Sequence, residues 1–298
     1  MYVKFAAIDM GSNAIRLLLI TVLEDNEPVL FKKEALMRMP LRLGDDAFVN
    51  KQISIEKATK LVSMMTGFKH LIDAYGAIDY LACATSAMRE AENGLEIVQT
   101  IRDRAGIELE IIDGQREAEI IYGNHIEDQI EPEKNYLYID VGGGSTEITL
   151  FSNKKSVISQ SFNIGTVRLL FNLVSEQHWL EMKSWLKQVT RSYLPITGIG
   201  SGGNINKLFK ISRTKEGKPL NSKKLKLIYE HIRAFTFRER IRELSLRPDR
   251  ADVIVPAAEI FISVMKWAKI KEIYVPQVGL ADGLIHTLYE RHKARSAQ

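Results

Sequence analysis

Apolar positions along the chain follow two periods. A run from Val3 to Ile8 leads into Asp9-Met-Gly-Ser-Asn-Ala14, and a second run follows from Ile15 to Leu23. Two β-rich runs joined by a small glycine-containing turn predict a hairpin, and Phe31 to Arg42 predicts a further strand. Over 54–75 the period changes. Ile55, Ala58, Leu61, Val62, Met65, Leu71, Ile72 and Tyr75 recur at helical spacing, with Ser54 placed to cap the start and Gly76 to stop the end. Asp79 to Ala84 predicts a short buried strand, followed by one helix from Thr85-Ser-Ala to about Ala105. Glu108 to Ile112 predicts a strand, and Gly114 to Gly123 begins another helix.

The opening theme then returns. Tyr136-Leu-Tyr-Ile-Asp140-Val-Gly142-Gly143-Gly144-Ser145-Thr146-Glu147-Ile-Thr-Leu150 is again apolar strand, Asp, glycine turn and apolar strand. Laying Asp140 on Asp9 puts Gly142 on Gly11 and Ser145 on Ala14, an internal repeat at domain scale. Helices are expected near 177–192, 221–243 and 249–268, a strand at Glu272 to Val275, and a last helix after Gly283. Strands alternating with helices imply an α/β class. Pro132 and a polar stretch put the boundary near 122–135, dividing the chain into lobes 1–124 and 125–298.

Composition narrows the possibilities. At 298 residues, with 45% hydrophobic and 26% charged, the chain has the length for two ordinary globular domains. The single cysteine, Cys83, excludes an intrachain disulfide and fits a small buried hydrophobe in a reducing cytoplasm. Asp9, Asn13 and Arg16 interrupt the first apolar runs, so no signal peptide is expected, and no stretch is apolar enough to span a membrane. The net charge of +4 does not point to nucleic acid as a partner. Positive charge concentrates at 207–242, which could guide a long polyanion or form a solvated helix face. The six histidines show no ligand spacing that would indicate zinc.

The chemistry centres on Asp140 to Glu147. Three consecutive glycines let the backbone approach a ligand, and their N–H groups can form an anion-binding nest to which Ser145 and Thr146 add hydroxyls. Asp140 and Glu147 offer oxygen ligands for a hard cation. A tight hairpin with solvated carboxylates is the plain alternative, which the second copy at Asp9 to Asn13 weakens. Glu117, just after the Gly114 turn, could activate a water. By position alone, an acid in a first helical turn is more often a companion of the helix dipole. Arg89 follows a strand-to-helix turn, where an Arg can grip phosphate, although a surface role is the commoner one. Arg16, Arg42 and Arg168 have the same standing. Gly200-Ser-Gly202-Gly203 is either a ligand turn or a tight corner.

Taken together, these segments resemble the exopolyphosphatase/guanosine pentaphosphatase family, part of the superfamily that includes actin, heat-shock ATPases and sugar kinases. The resemblance is carried by Asp9-Met-Gly-Ser-Asn13 with Arg16-Leu17, Leu41-Arg-Leu-Gly44, Ala84-Thr-Ser-Ala-Met-Arg89-Glu-Ala-Glu-Asn93, Gly114 to Tyr122 and Asp140 to Glu147. It continues in Gly165-Thr-Val-Arg-Leu169, Gly200-Ser-Gly-Gly203, Arg247-Pro-Asp-Arg-Ala-Asp-Val-Ile-Val-Pro256 and Gly279-Leu-Ala-Asp-Gly283. It implies two ribonuclease-H-like (actin-like ATPase) lobes with an interdomain cleft, where the glycine loops clamp a phosphoanhydride. It also implies Glu117 as catalytic base, and Asp140, Glu147 and Asp9 around Mg²⁺. Ser12, Asn13, Arg89, Gly142, Gly143, Gly144, Ser145 and Thr146 become phosphate contacts.

The implied substrate is inorganic polyphosphate or guanosine pentaphosphate, with a non-hydrolytic nucleotide-binding switch or a polyphosphate-dependent phosphotransferase as alternatives. For such folds a homodimer is a reasonable expectation. Four positions depart from the family pattern: Ala14 replaces a serine, Arg116 precedes Glu117 and could depress its pKa, Asn204 follows Gly202-Gly203, and Ala281-Asp282 replaces Arg-Glu. The length resembles members without the additional HD-like C-terminal domain, which suggests low processivity.

Overall fold

The computed structural model describes residues 2–122 and 131–296. Residues 123–130, inside the expected boundary, lie outside the described residues. The chain divides into two compact units, Met1–Asn124 with Gly279–Gln298, and His125–Val278.

In the first unit β1 (Tyr2–Met10), β2 (Ala14–Leu23) and β3 (Leu30–Pro40) form an antiparallel meander. Helices α1 (Leu43–Asn50) and α2 (Ile55–Tyr75) follow, then β4 (Asp79–Ala84), which pairs with β1 in parallel. After α3 (Ser86–Glu90) and α4 (Gly94–Ala105), the short β5 (Glu110–Ile111) pairs in parallel with β4, and α5 (Gly114–Tyr122) closes this stretch. The sheet order is β3-β2-β1-β4-β5. Central β1 is buried from Phe5 to Met10, as expected of a strand covered on both faces. In α2 the side chains of Leu61, Met65, Phe68 and Ile72 are buried along one stripe. Ser54 caps its start, and Gly76 ends it in the left-handed region at φ 74°.

The expected helix over 85–105 is two. Asn93 leaves helical geometry because its side chain is bonded elsewhere: Oδ1 accepts from the Ile53 N–H at 3.0 Å, and Nδ2 donates to the Ile53 carbonyl at 2.8 Å. The next residue packs so tightly that a Cβ on Gly94 would stand 2.2 Å from the Met88 carbonyl oxygen.

The second unit repeats the plan. A meander of β6 (Asn135–Val141), β7 (Thr146–Ser152) and β8 (Lys155–Phe162) is followed by α6 (Thr166–Leu170) and α7 (Glu176–Thr190). Strand β9 (Ile196–Ser201) pairs in parallel with β6. Then come α8 (Gly203–Ser212), β10 (Leu220–Asn221), α9 (Ser222–Ala234), α10 (Phe237–Glu243), α11 (Pro248–Ala251), α12 (Ile254–Trp267) and β11 (Glu272–Tyr274). The sheet order is β10-β11-β9-β6-β7-β8. Its core joins Leu137 and Ile139 of β6 to Ile205 and Leu208 of α8, Ile228 and Ile232 of α9, and Phe261 and Val264 of α12. The expected helix at 221–243 breaks at Thr236, which starts α10 with a reciprocal cap to Glu239.

The two meanders match in detail. Gly11 N–H donates to the Ala14 carbonyl at 3.2 Å, and Gly142 N–H to the Ser145 carbonyl at 2.9 Å. The register shifts once in each, between Leu19 and Ile20 and between Leu150 and Phe151, positions that superpose when Asp140 is laid on Asp9.

The last helix, α13 (Leu280–Ser296), begins before Gly283 because the Asp282 carboxylate accepts from the Gly279 N–H at 2.9 Å and caps the start. It belongs to the first unit, whereas the sequence reading assigned 125–298 to the second lobe. Close backbone packing and charge hold it there. A Cβ on Gly283 would stand 2.1 Å from the Ile120 carbonyl oxygen of α5, and Lys33 of β3 pairs with Asp282 at 2.6 Å. Among the described residues no helix is long and apolar enough to cross a membrane. Gly283→Ala must therefore push α13 off α5. Chemical denaturation is expected to show a loss of about 1–3 kcal/mol, and an unchanged midpoint would show that the contact is slack.

Candidate functional site

In the second unit the geometry of the Gly142–Ser145 turn is set by its carbonyl groups. Those of Gly142 and Gly143 accept from the N–H groups of Thr166 and Val167 at 3.0 and 2.8 Å, and that of Gly144 accepts from Arg168 Nε at 2.7 Å. All three therefore point at the start of α6. These peptide bonds are trans, so each following N–H points the opposite way from the preceding carbonyl. The N–H groups of Gly143, Gly144 and Ser145 consequently share one side of the loop. No hydrogen-bond acceptor meets them among the described residues of this unit. Successive N–H groups left open in this way form an anion-binding nest. Gly165 permits the close approach, since a Cβ there would stand 2.3 Å from the Gly143 oxygen and 2.4 Å from the Gly144 carbonyl carbon.

Flanking side chains alternate with the strand period. Asp140 and Glu147 face each other directly across β6 and β7, so both carboxylates lie on one face of the sheet beside the loop. Glu147 is buried, and its Oε1 accepts from Ser161 Oγ at 2.8 Å. Thr146 faces the other way. It is 0% exposed, and its hydroxyl donates to the Ile164 carbonyl at 2.5 Å. The sequence reading made Thr146 a phosphate contact; its position on the opposite face makes it a brace for the loop. Ser145 is buried at the edge of the nest. Arg168, read from the sequence as a surface Arg or a phosphate grip, is buried and holds the loop through Gly144.

In the first unit the candidate residues gather at the carboxyl ends of the parallel strands β1, β4 and β5, where α/β sheets place their ligands. Asp9 at the end of β1 is buried and pairs with Arg16 directly across β2. That partner leaves less carboxylate charge for a cation than the sequence reading assigned to Asp9. Ser12 is buried and shares a hydrogen bond of 2.9 Å with Ser86 Oγ at the start of α3, a partner not expected from sequence. The carbonyls of Ser12 and Asn13 accept from the N–H groups of Gly44 and Arg42 at 2.8 and 3.1 Å, so the segment Leu41-Arg-Leu-Gly44 shapes the turn. Arg89 is half-buried and donates through Nη1 to the Ile112 carbonyl at 2.6 Å, tying α3 to the chain entering α5.

Glu117 lies half-buried in the first turn of α5. Asp113 accepts from the Arg116 N–H at 2.7 Å and fixes that turn. Arg116, one residue before Glu117, is paired with Glu119 at 3.1 Å. Cys83, next to Asp9 in the β1–β4 register, reports the local field. Its thiol is pushed up to about 12, first by burial and then by the negative charges of Glu110, Asp9 and Glu117, with Arg116 acting in the opposite sense. Asp9 and Glu117 thus both act on the same end of this sheet.

Among the described residues no group of three His, Cys, Asp or Glu side chains could hold a metal ion alone. The pair Asp140 and Glu147 beside an anion nest fits a different kind of site. Mg²⁺ commonly takes one or two carboxylates, with phosphate and water oxygens supplying the rest.

The family model described as the Ppx/GppA phosphatase family matches residues 35–292. The chain belongs to that family. A bifunctional 3-dehydroquinate synthase/phosphatase from Fusobacterium nucleatum is 33% identical over 196 residues, covering 61% of this chain and 29% of that protein. The exopolyphosphatase 1 of Mycobacterium tuberculosis is 22% identical, covering 95% of this chain and 87% of that one. Among solved structures, an exopolyphosphatase from Cytophaga hutchinsonii shares the fold with a TM-score of 0.83 at 24% identity, covering 97% of this chain and 98% of that one. The α/β class and the two-lobed, actin-like architecture of the Ppx/GppA fold are thereby established for this chain.

Gly165→Ala drives a methyl into the glycine loop and should close the nest. Pyrophosphate binding, followed by calorimetry, is expected to weaken at least roughly 10-fold, as expected when charge-assisted hydrogen bonds are lost. Unchanged binding would show that the anion sits elsewhere.

Proposed function

We propose that the chain is an exopolyphosphatase, hydrolysing the terminal phosphoanhydride of inorganic polyphosphate. The observation that carries this reading is the nest of three N–H groups next to two carboxylates on one face of the second sheet. The exopolyphosphatases among its relatives support it. The nest donates to the oxygens of the phosphate end, and Ser145 adds its hydroxyl. Asp140 and Glu147 would hold Mg²⁺, which supplies charge neutralisation on the phosphate oxygens when bound. Ser161 orients the Glu147 carboxylate through its 2.8 Å hydrogen bond.

Phosphoryl transfer asks the protein mainly for positioning and electrostatics. The remaining requirement is a group to accept a proton from the attacking water. We assign that role to Glu117, whose helix is fixed by Asp113 and by the packing of α13. Ser12 and Asn13 contribute phosphate contacts from the first loop, and Arg89 contributes one from α3. Guanosine pentaphosphate offers the same terminal phosphoanhydride, so its hydrolysis is the second reading, supported by the family description.

Initial rates of phosphate release on a ladder of polyphosphate lengths and on guanosine pentaphosphate, with and without Mg²⁺, should show Mg²⁺-dependent release that favours the inorganic chain. Faster release from the nucleotide would favour the second reading. Glu117→Gln should lower kcat at least roughly 100-fold with little change in KM, and near-normal turnover would remove Glu117 from the chemistry.

A further inference from the structure

We infer that the second unit carries an additional binding site for a linear phosphate chain, at the end of its sheet away from the glycine loop. A cavity of about 510 Å³ there is lined by Lys183, Lys187 and Arg191 along α7 and by Lys266 and Lys269 at the end of α12, over a floor that includes Leu194 and Trp267. No carboxylate lines it. Among the described residues none of the five cations has an ion-pair or hydrogen-bond partner through its side chain.

The arrangement runs against local helix stability. Lys183, Lys187 and Arg191 recur every fourth residue, so they share one face of α7, where like charges repel. The helix dipole accounts for one lysine in each last turn, Lys187 in α7 and Lys266 in α12. It does not account for Lys183 or Lys269. Positive groups converging on one concavity raise the local potential and select an anion.

The spread of the charges selects the shape of that anion. Lys183 to Arg191 covers roughly 12 Å of helix axis, too far for one phosphate to reach every cation. A nucleic-acid strand separates its phosphates by a sugar, with about one charge per 3.4 Å of rise. In a phosphoanhydride chain neighbouring phosphorus atoms share one bridging oxygen, so the charges lie closer together and match cations crowded along α7 and at the end of α12. The indole of Trp267 makes a T-shaped contact with Trp179, with ring centroids 5.8 Å apart at 74°, which fixes the ring in the floor of the cavity.

Its location separates it from the glycine loop. Leu194 leads into β9, which runs parallel to β6 with Asn135 opposite Ile196 and Asp140 opposite Ser201. The cavity is at the start of these strands and the glycine loop beyond their end, roughly 17 Å away along the strand. The site therefore holds the distal part of a long chain, or a second chain. Its substrate class rests on the function proposed above, but its existence as a binding site does not.

The test uses the full chain, with long-chain inorganic polyphosphate, tripolyphosphate and ATP as probes. Binding is read by calorimetry and by tryptophan emission. Lys183→Glu with Lys187→Glu should weaken long-chain binding at least roughly 10-fold and flatten its salt dependence. Lys266→Gln with Lys269→Gln, a milder pair that guards against misfolding, should weaken it in the same direction. Trp267→Phe should remove most of the emission change. The kcat for tripolyphosphate should stay at the wild-type value in both pairs. Wild-type affinity for long chains in both folded pairs would overturn the site, as would tighter binding of ATP than of tripolyphosphate in the cavity. A protein that binds long chains through these lysines but releases no phosphate would overturn the proposed function and leave the site standing.

Discussion

The shape of the second glycine loop, on which the proposed chemistry rests, depends on where three carbonyl groups point. Gly142, Gly143 and Gly144 commit theirs to Thr166, Val167 and Arg168, and planar trans peptides then turn the following N–H groups to the other side of the loop. A buried guanidinium and two helix N–H groups thus shape the proposed anion site without lining it. The close approach depends on Gly165, because any side chain there would collide with the loop backbone. The direction of the loop's N–H groups is therefore set one layer behind the side on which they lie open.

The same plan was used twice along the chain. Each unit sets an aspartate at the end of a central strand, turns through glycine, and returns along an antiparallel neighbour with one bulge at the equivalent position. The copies then diverge in their partners. Asp9 is matched by Arg16, whereas Asp140 is matched by Glu147. A single difference in the return strand, Arg16 against Glu147, separates an ion pair from two facing carboxylates, and the proposed function gives the metal to the second loop on that ground. The first loop is instead tied internally, Ser12 to Ser86 and its carbonyls to the segment around Gly44.

Local structure was legible in the sequence where it is set by neighbours in the chain. The span of α2, with Ser54 and Gly76 at its ends, and the limits of β4 follow from period and capping alone. Non-local contacts were not legible. Helicity over 85–105 is interrupted by hydrogen bonds from Asn93 to Ile53, forty positions earlier in sequence, and α13 joins the first unit through a backbone approach to Ile120. Within the site, the pairing of Asp140 with Glu147 agrees with the motif. The inward turn of Thr146 could have been read from strand alternation, since adjacent residues face opposite sides. The burial of Arg168 could not, because its acceptor is a carbonyl whose direction depends on the folded loop.

The central claim is that the N–H groups of Gly143, Gly144 and Ser145 receive the phosphate. Amide chemical shifts of the ¹⁵N-labelled protein, followed during titration with pyrophosphate, test it directly. The account predicts large, saturable shifts at these three amides, with smaller ones at Thr166 and Val167, whose N–H groups hold the back of the loop. Saturable shifts elsewhere, with these three amides unmoved, would contradict it.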